Sequence, residues 1–446
     1  MKKMRIGTAA ITLLGLGVVA ATGCANRYDV QITVYNWEDY IFDGTNEKGK
    51  KTEDSTIELF QKEYKEATGL RIKVNYKTFS TCEDMYTKVS QHLVKADLCC
   101  PSDYMIQRMQ REGLLESFGF NSEENKYTEG LDNVNEYTSP YIKDLFQSNN
   151  FSDFAVPYFW GTMGYTYNMG MGQEKIDLLK SWDAQWNTTF KKRISIKDSM
   201  RDTYFTAVMH VYKDELLGYK TQYENEEISA KEYNDKLSEV FNRCDDTTLA
   251  KTKQALIDLK KNVVLEVDEG KNDIALGNLD VNLAWSGDSV FSMDQADEGK
   301  KVRLGYAVPE EGSNVWFDGW CMLKGANVEA SKAFLNFMAR PDIAALNMDY
   351  TGYTSPIAGA DIWDLVNEWY SADDGVEYDE VDLSYFFGDT IEGKALINVP
   401  KAERGRQFDA QYPTLDVITR CAIMRDFGVT ATENLNNMWS DFRASL

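Results

Sequence analysis

Histidine is almost absent from this sequence, and its cysteines form no metal-binding pattern. Only His92 and His210 occur among the 446 residues, and the seven cysteines form neither a CxxC pair nor a Cys/His cluster. Structural zinc sites need four such ligands, and Ser/His/Asp or Cys/His nucleophilic sites need a histidine base. We therefore expect no metal, no cofactor and no catalytic residue in this protein.

Proline and low-complexity sequence are scarce as well. The chain has eight prolines, and no tract of the kind that forms a linker interrupts it. This composition argues against long flexible linkers. The length suggests two or three domains, or two lobes that share one chain.

Basic residues are too few to balance the acids. The 48 lysines and arginines face 71 aspartates and glutamates, which gives a formal net charge of −23. A chain this acidic repels nucleic-acid phosphates and anionic lipid headgroups, and it favours cationic partners near its surface. We expect no nucleic-acid partner, although solubility alone explains most of the acids.

Long apolar runs are missing except at the N-terminus. Three basic residues precede an apolar stretch over residues 6–22, which is too short for a membrane span. Small residues before Cys24 resemble a bacterial lipoprotein cleavage box, and an ordinary secretion signal is the alternative. We predict a signal peptide over residues 1–23, a lipid on Cys24, and an extracytoplasmic protein anchored to the cell membrane by that lipid.

Strands and helices alternate along the rest of the chain. Residues 55–58 form a capping-box pattern, and apolar residues follow at helical spacing up to Gly69. The alternation of strand and helix returns later, in predicted strands over residues 70–76, 96–100, 193–196, 281–285 and 302–308 and predicted helices over residues 81–94, 103–112, 200–212 and 329–338. This order predicts an α/β protein with a parallel sheet. Residues 217–264 suggest a solvated excursion of two helices.

Four predicted strand ends carry acids or hydroxyls, and three of the four also carry aromatic residues. They are residues 37–40, 102–104, 198–202 and 285–288. Ligands of open α/β sheets bind at such carboxyl ends. Aromatic faces attract cations, carboxylates add charge-assisted hydrogen bonds, and the rings also cover methylene groups. A flexible aliphatic polyamine matches this mixture, because its amines are charged at neutral pH.

Nine short segments carry a family resemblance. In chain order they are YNWEDYI (35–41), ADLCCPSDY (96–104), PYFWG (157–161), SWDAQWNTTF (181–190), KDSMRD (197–202), AWSGD (284–288), PEEG (309–312), WFD (316–318) and NFMARPD (336–342). Each is a weak motif alone. In this order they resemble the extracytoplasmic spermidine/putrescine-binding proteins of bacterial polyamine ABC importers.

The resemblance implies a two-lobed periplasmic-binding-protein fold of type II that closes on a ligand between its lobes. Lobe 1 is expected to comprise residues 28–158 and 317–360, and lobe 2 residues 159–316 and 361–446. The implied partners are a polyamine, putrescine or spermidine, and a membrane permease. We expect a monomer that is not an enzyme. The ligand contacts that the resemblance implies are Trp37, Glu38, Asp39, Tyr40, Ser102, Tyr104, Asp202, Trp285, Asp288, Trp316, Asp318 and Tyr353.

Departures from the family pattern leave the chain length of the ligand open. Ser199 stands where spermidine-preferring members have a second acid. Asp288 is typical of putrescine-preferring members, whereas Trp316 is closer to the spermidine type. Near the C-terminus, Met424 or Arg425 falls where the family has a glutamine contact. An arginine that faced the pocket would oppose a polyamine.

Other interpretations of the same residues stay open. The fold could bind a different organic cation or an iron complex, and tryptophans beside paired carboxylates also suit a cell-surface glycosidase. Tyr104 and Tyr353 could serve packing alone. Asp202 could be an acid that the helix dipole favours in the first turn of a helix.

Overall fold

The computed structural model describes residues 28–46, 49–266, 269–299 and 301–444. The predicted signal peptide over residues 1–23 and the predicted lipidation site Cys24 lie outside the described residues. In the described part of the chain, no helix combines the length and the apolar character that a membrane crossing requires.

The strands, labelled in chain order, are β1 (Val30–Trp37), β2 (Ile72–Phe79), β3 (Leu98–Cys99), β4 (Leu115–Glu116), β5 (Phe120–Asn121), β6 (Lys126–Tyr127), β7 (Val156–Asn168), β8 (Ile194–Lys197), β9 (Val264–Glu266), β10 (Val281–Trp285), β11 (Leu304–Ala307), β12 (Ser313–Leu323), β13 (Tyr378–Asp382), β14 (Leu396–Pro400) and β15 (Cys421–Ala422).

The α-helices are α1 (Thr56–Thr68), α2 (Cys82–Ser90), α3 (Asp103–Arg111), α4 (Asp132–Tyr137), α5 (Pro140–Ser148), α6 (Gln173–Leu178), α7 (Met200–Val211), α8 (Lys213–Glu224), α9 (Ala230–Phe241), α10 (Asp246–Leu259), α11 (Glu269–Ala275), α12 (Ser286–Gly299), α13 (Val328–Met338), α14 (Pro341–Thr351), α15 (Ala360–Tyr370), α16 (Ser384–Phe387), α17 (Gln407–Gln411), α18 (Leu415–Thr419) and α19 (Gly428–Ala444).

Two long strands, β7 and β12, connect the two halves of the main sheet. The strand order is β2-β1-β3-β12-β7-β10-β8-β9. At one end β1 pairs in parallel with β2 and β3, and at the other β8 pairs in parallel with β10 and β9. Between them β7 and β12 run antiparallel, with Trp160 opposite Phe317. The α/β prediction is confirmed, and the antiparallel pair at the centre adds to the predicted parallel ones.

Each half of the sheet has its own hydrophobic core. The first core surrounds β1 to β3 and contains Val34 and Leu98, and the second surrounds β8 and β10 and contains Ile194 and Leu283. The division of the chain into lobes at the predicted boundaries stays a prediction. Ile362 and Phe386, from α15 and α16, pack in the first core.

Local signals in the sequence set several helix ends. Ser55 and Glu58 form the predicted capping box at the start of α1, and Gly69 ends the helix in a left-handed conformation, with φ of +74°. Ser199 is the N-cap of α7, where its side chain accepts a hydrogen bond from the backbone of Asp202. The N-cap of α7 is of functional interest, because α7 follows closely on β8, whose last residue is Lys197.

The predicted excursion over residues 217–264 is wrong in two respects. This region holds three helices, since α8, α9 and α10 together cover most of it. It is also not simply solvated, because Leu237, Val240 and Leu256 are buried in the second core. In the sequence, the many charged residues of this region obscure the short apolar faces of these helices.

Candidate ligand-binding site

The site is built around Asp318, a buried carboxylate on the central strand β12. Its Oδ1 accepts a hydrogen bond from the hydroxyl of Ser102 at 2.7 Å, and its Oδ2 accepts one from the hydroxyl of Tyr40 at 2.7 Å. Ser102 is the N-cap of α3, and Tyr40 lies in the turn after β1. An isolated bridge between Ser102 and Asp318 joins their backbones. The segments that follow β1 and β3 thus converge on β12, which connects the two halves of the main sheet.

No cationic side chain is among the groups that set the pKa of Asp318. Its side chain is 6% exposed. Burial raises the pKa of Asp318 to about 6, while the hydrogen bonds from Ser102 and Tyr40 act in the opposite direction. Burial, and then the charge of Asp318, raise the pKa of Tyr40 well above its usual value. Neither hydroxyl brings a positive charge, so a cation placed here would be strongly attracted.

Aromatic rings extend the site from Asp318 towards the second lobe. The ring of Tyr353 lies 5.2 Å from that of Tyr40 and 5.8 Å from that of Trp316, both in edge-to-face geometry. Tyr40 also packs edge to face against Phe159 at 4.9 Å. These electron-rich rings form one wall that can cover methylene groups and attract cations.

Tyr353 connects this wall to a second buried carboxylate, Asp288. The hydroxyl of Tyr353 donates a hydrogen bond to Asp288 Oδ1 at 3.0 Å. Lys197 Nζ donates to Asp288 Oδ2, also at 3.0 Å, and lies 4.2 Å from the centroid of a Trp285 ring. Burial raises the pKa of Asp288, but Lys197, Lys271 and Tyr353 outweigh burial, so its pKa lies below the usual value. Asp288 is therefore an ionised and compensated acid.

Two further acids lie buried between these groups. Asp202, in the first turn of α7, is 7% exposed, and burial raises its pKa although Ser199 and Lys197 act against it. Asp103, at the start of α3, is 2% exposed. Burial raises the pKa of Asp103 to about 8, and the charges of Asp318 and Asp202 also raise it. The site thus has more carboxyl groups than cationic side chains, although the raised pKa of Asp103 favours its protonated, uncharged form at pH 7.

Tyr104 has a cation of its own in this structure. Arg201 Cζ lies 4.0 Å from the centroid of the Tyr104 ring, and the Tyr104 hydroxyl donates to Glu83 Oε1 at 3.0 Å. Arg425, a candidate for the position of the family glutamine, is exposed, whereas Met424 is buried. Among the described residues, Arg201, Lys197 and Lys271 bring positive charge near the site.

Three of the predicted contacts, at the end of β1, have surroundings of their own, and their contact with ligand stays a prediction. Trp37, the last residue of β1, packs against Phe79 with the ring centroids 4.7 Å apart. Glu38 and Asp39 are exposed. Asp39 has a φ of +51°, which turns the chain sharply before Tyr40. The structure brings together Tyr40, Ser102, Asp202, Trp285, Asp288, Trp316, Asp318 and Tyr353 from the predicted set, and the remaining member, Tyr104, packs against Arg201.

Lys197, Asp103 and Arg201 are the site residues that sequence reasoning missed. Each lies inside a segment that resembles the family, namely KDSMRD or ADLCCPSDY. The signal for Lys197 was its place between the predicted strand over residues 193–196 and the predicted helix over residues 200–212. A lysine there normally suggests a solvated strand end, and its burial becomes visible only once Asp288 and Trp285 lie across from it.

The fold and the site together define a solute-binding protein. The chain belongs to the bacterial extracellular solute-binding protein family, whose sequence profile matches residues 60–376. This membership confirms the predicted family type and an extracytoplasmic class of protein.

Individual relatives share most of the length of the chain. The spermidine/putrescine-binding periplasmic protein of Salmonella typhimurium is 27% identical over 361 residues, which cover 80% of this chain and 85% of the relative. The putrescine-binding periplasmic protein SpuD of Pseudomonas aeruginosa is 27% identical over 394 residues, which cover 84% and 90%.

A solved structure shows the same fold. The spermidine/putrescine ABC transporter substrate-binding protein PotD from Streptococcus pneumoniae superposes with a TM-score of 0.60 at 24% identity, covering 94% of this chain and 99% of that one. The predicted two-lobed periplasmic-binding-protein fold is confirmed by this likeness.

Proposed function

We propose that this protein is the substrate-binding component of a bacterial polyamine ABC importer. It captures putrescine or spermidine outside the cytoplasm and delivers it to a membrane permease, without catalysing a reaction. The names of the Salmonella and Pseudomonas relatives support the ligand class. A lipid on Cys24 would hold the monomeric protein at the membrane.

The observation that carries this proposal is that Asp318 is a buried carboxylate with no cation among the groups that set its pKa. It is buried, it receives hydrogen bonds only from uncharged hydroxyls in the contacts that set its pKa, and its pKa is raised to about 6. An ammonium group in contact with it would form a charge-assisted hydrogen bond worth roughly 1.5–3 kcal/mol. The same contact would relieve the cost of keeping the carboxylate buried.

The aromatic wall is suited to pack against the aliphatic chain between two amines of a ligand. Tyr40, Tyr353 and Trp316 lie edge to face and present ring surfaces beside Asp318. A methylene chain would lie against these surfaces, at about 0.8 kcal/mol for each methylene removed from water. A neutral ligand of the same shape would gain the methylene contacts but would leave Asp318 uncompensated.

The strands β7 and β12 suggest how the protein responds to ligand. They are the strands that run from one half of the sheet to the other, and the bond between Tyr353 and Asp288 links groups from the two predicted lobes. We propose that the lobes close about these strands when the ligand bridges Asp318 and the aromatic wall.

Titration calorimetry with a matched set of ligands tests the proposal. Putrescine and spermidine are compared with 1,4-butanediol, which has the carbon skeleton of putrescine but hydroxyls in place of ammonium groups. We expect micromolar or tighter binding of at least one polyamine, about −8 kcal/mol or better, and no measurable binding of the diol. Absence of binding with both polyamines, together with binding of choline or ferric citrate, would replace the polyamine by another ligand of the same fold.

A further inference from the structure

Lys197 occupies a position that is chemically suited to an ammonium group of a ligand. Its Nζ donates to Asp288 Oδ2 at 3.0 Å and lies 4.2 Å from a Trp285 ring centroid. Its side chain is 6% exposed. A carboxylate together with an aromatic face is the combination by which proteins hold alkylammonium groups. At this end of the site, the cation is part of the protein.

The other end of the site differs in this respect. Asp318 has the same kind of surroundings, with a carboxylate 6% exposed and a tyrosine hydroxyl as hydrogen-bond donor. The groups that act on the pKa of Asp318 are burial and two hydroxyls, whereas those that act on Asp288 include Lys197 and Lys271. Two similar carboxylates therefore differ in whether a cation compensates them.

We infer that Lys197 is a tethered ammonium group that fills the Asp288 end of the site, so that the ligand needs only one ammonium, at the Asp318 end. Each further ammonium on the ligand meets the charge of Lys197 and finds Asp288 already paired. The site accordingly favours short amines over triamines, and putrescine over spermidine. This inference rests on the proposed function and narrows its ligand class.

A purely structural ion pair is the competing explanation of the same contact. Removal of Lys197 would destabilise the protein in either case, because it leaves Asp288 buried and unpaired. Stability therefore cannot separate the two explanations. The relative affinities for ligands of different charge can, because a structural pair has no reason to distinguish putrescine from spermidine.

The first arm of the test uses the unaltered protein and N-acetylputrescine, which has one ammonium where putrescine has two. If Lys197 fills the Asp288 end, acetylation lowers the affinity less than about tenfold, because only one ammonium group of putrescine pairs with a carboxylate, that of Asp318. If both ammonium groups of putrescine are bound by carboxylates, acetylation removes a charge-assisted contact and costs about 10- to 150-fold. A loss of tenfold or more would overturn the inference.

The second arm compares Lys197→Met with Lys271→Met by calorimetry against putrescine, N-acetylputrescine and spermidine. Methionine keeps a flexible chain against Trp285 and removes the charge. Lys271 is a suitable control, because it acts on Asp288 electrostatically while its Nζ lies over Phe291 at 5.4 Å. We expect Lys197→Met to raise the affinity for spermidine relative to putrescine at least tenfold, and Lys271→Met to change this ratio less than about threefold.

The remaining outcomes are also decisive. Equal changes in the two variants would show a general effect of charge and would overturn the inference. Polyamine binding with an unchanged ratio in Lys197→Met would overturn it while leaving the proposed function in place. No polyamine binding by the unaltered protein or by either variant would overturn both. If circular dichroism shows that Lys197→Met does not fold, the acetylation experiment alone decides.

Discussion

The side chains of Tyr40 and Asp318 are 278 positions apart in the sequence, and the hydroxyl of Tyr40 donates a hydrogen bond to Asp318 Oδ2 at 2.7 Å. This bond joins the turn after the first strand to a strand that passes between the halves of the sheet. It places a ring and a hydroxyl beside a buried carboxylate without supplying a positive charge. The most direct consequences concern ligands that bring this charge.

Ligand affinity is expected to fall as the pH drops below 6. Asp318 has a pKa of about 6 in the ligand-free protein, and an ammonium ligand needs its ionised form. Below pH 6 a proton must leave before the ligand binds, so affinity falls up to about tenfold per pH unit. Buried Asp103, with a pKa of about 8, and Asp202 face the same region and contribute their own titrations.

Calorimetry with putrescine at pH 5 and pH 7 measures this dependence. Asp318→Asn cannot be protonated in the same way, so its weaker binding should show a flatter profile between these pH values. Identical profiles for the two proteins would mean that Asp318 does not bind the ligand's ammonium group.

The stability of the ligand-free protein should decrease as the pH rises from 4 to 8. Asp103 has a folded pKa of about 8, above its ordinary value of 3.8, so the folded state holds a proton that the unfolded chain has lost in this range. Proton binding therefore favours the folded state at low pH, and this advantage disappears as pH rises through 8. We expect a loss of at least about 1 kcal/mol between pH 5 and pH 8.

Denaturant unfolding of Asp103→Asn at pH 5 and pH 8 checks this assignment. The substitution should reduce the difference between the two pH values, whereas Asp374→Asn, at an exposed position, should preserve it. A difference that persists unchanged in Asp103→Asn would assign the effect to other acids.

Gly287→Ala should disrupt the aromatic wall without touching a carboxylate. A Cβ at this position would lie 2.5 Å from two atoms of the Tyr353 ring, so the ring must move away from Asp288 and Trp316. We expect at least a tenfold loss of putrescine affinity, equivalent to about 1.4 kcal/mol.

Gly218→Ala provides the matched control, because nothing lies within 4 Å of a Cβ built there in α8. Calorimetry on both variants, with melting curves to verify the fold, decides the matter. Wild-type affinity in a folded Gly287→Ala protein would show that Tyr353 has no part in ligand binding.

Sequence patterns predicted the architecture well where a signal is local. The capping box at Ser55 depends on neighbouring residues only, and it lies where the sequence indicated. Two solvated helices were predicted within residues 217–264 where the structure has three partly buried ones, because charged residues hide the short apolar faces that pack on the second core. Their burial depends on distant strands.

The candidate site shows the same division between local and distant information. The resemblance pointed to Asp318 and Asp288 as partners of a cation, and both are buried acids in the structure. It gave no indication that Lys197 compensates one of them, because this contact spans 91 residues of sequence. Asp39 is exposed and has a left-handed backbone, with φ of +51°, and the letters of YNWEDYI reveal neither.

The most direct test of the central claim is the affinity for putrescine of three proteins measured side by side. They are the unaltered protein, Asp318→Asn, and Asp374→Asn, which makes the same chemical change at an exposed acid outside the predicted contacts. We predict micromolar or tighter binding by the unaltered protein, a loss of about 10- to 150-fold in Asp318→Asn, and a change below about fivefold in Asp374→Asn. Equal affinities in the unaltered protein and Asp318→Asn would contradict the account.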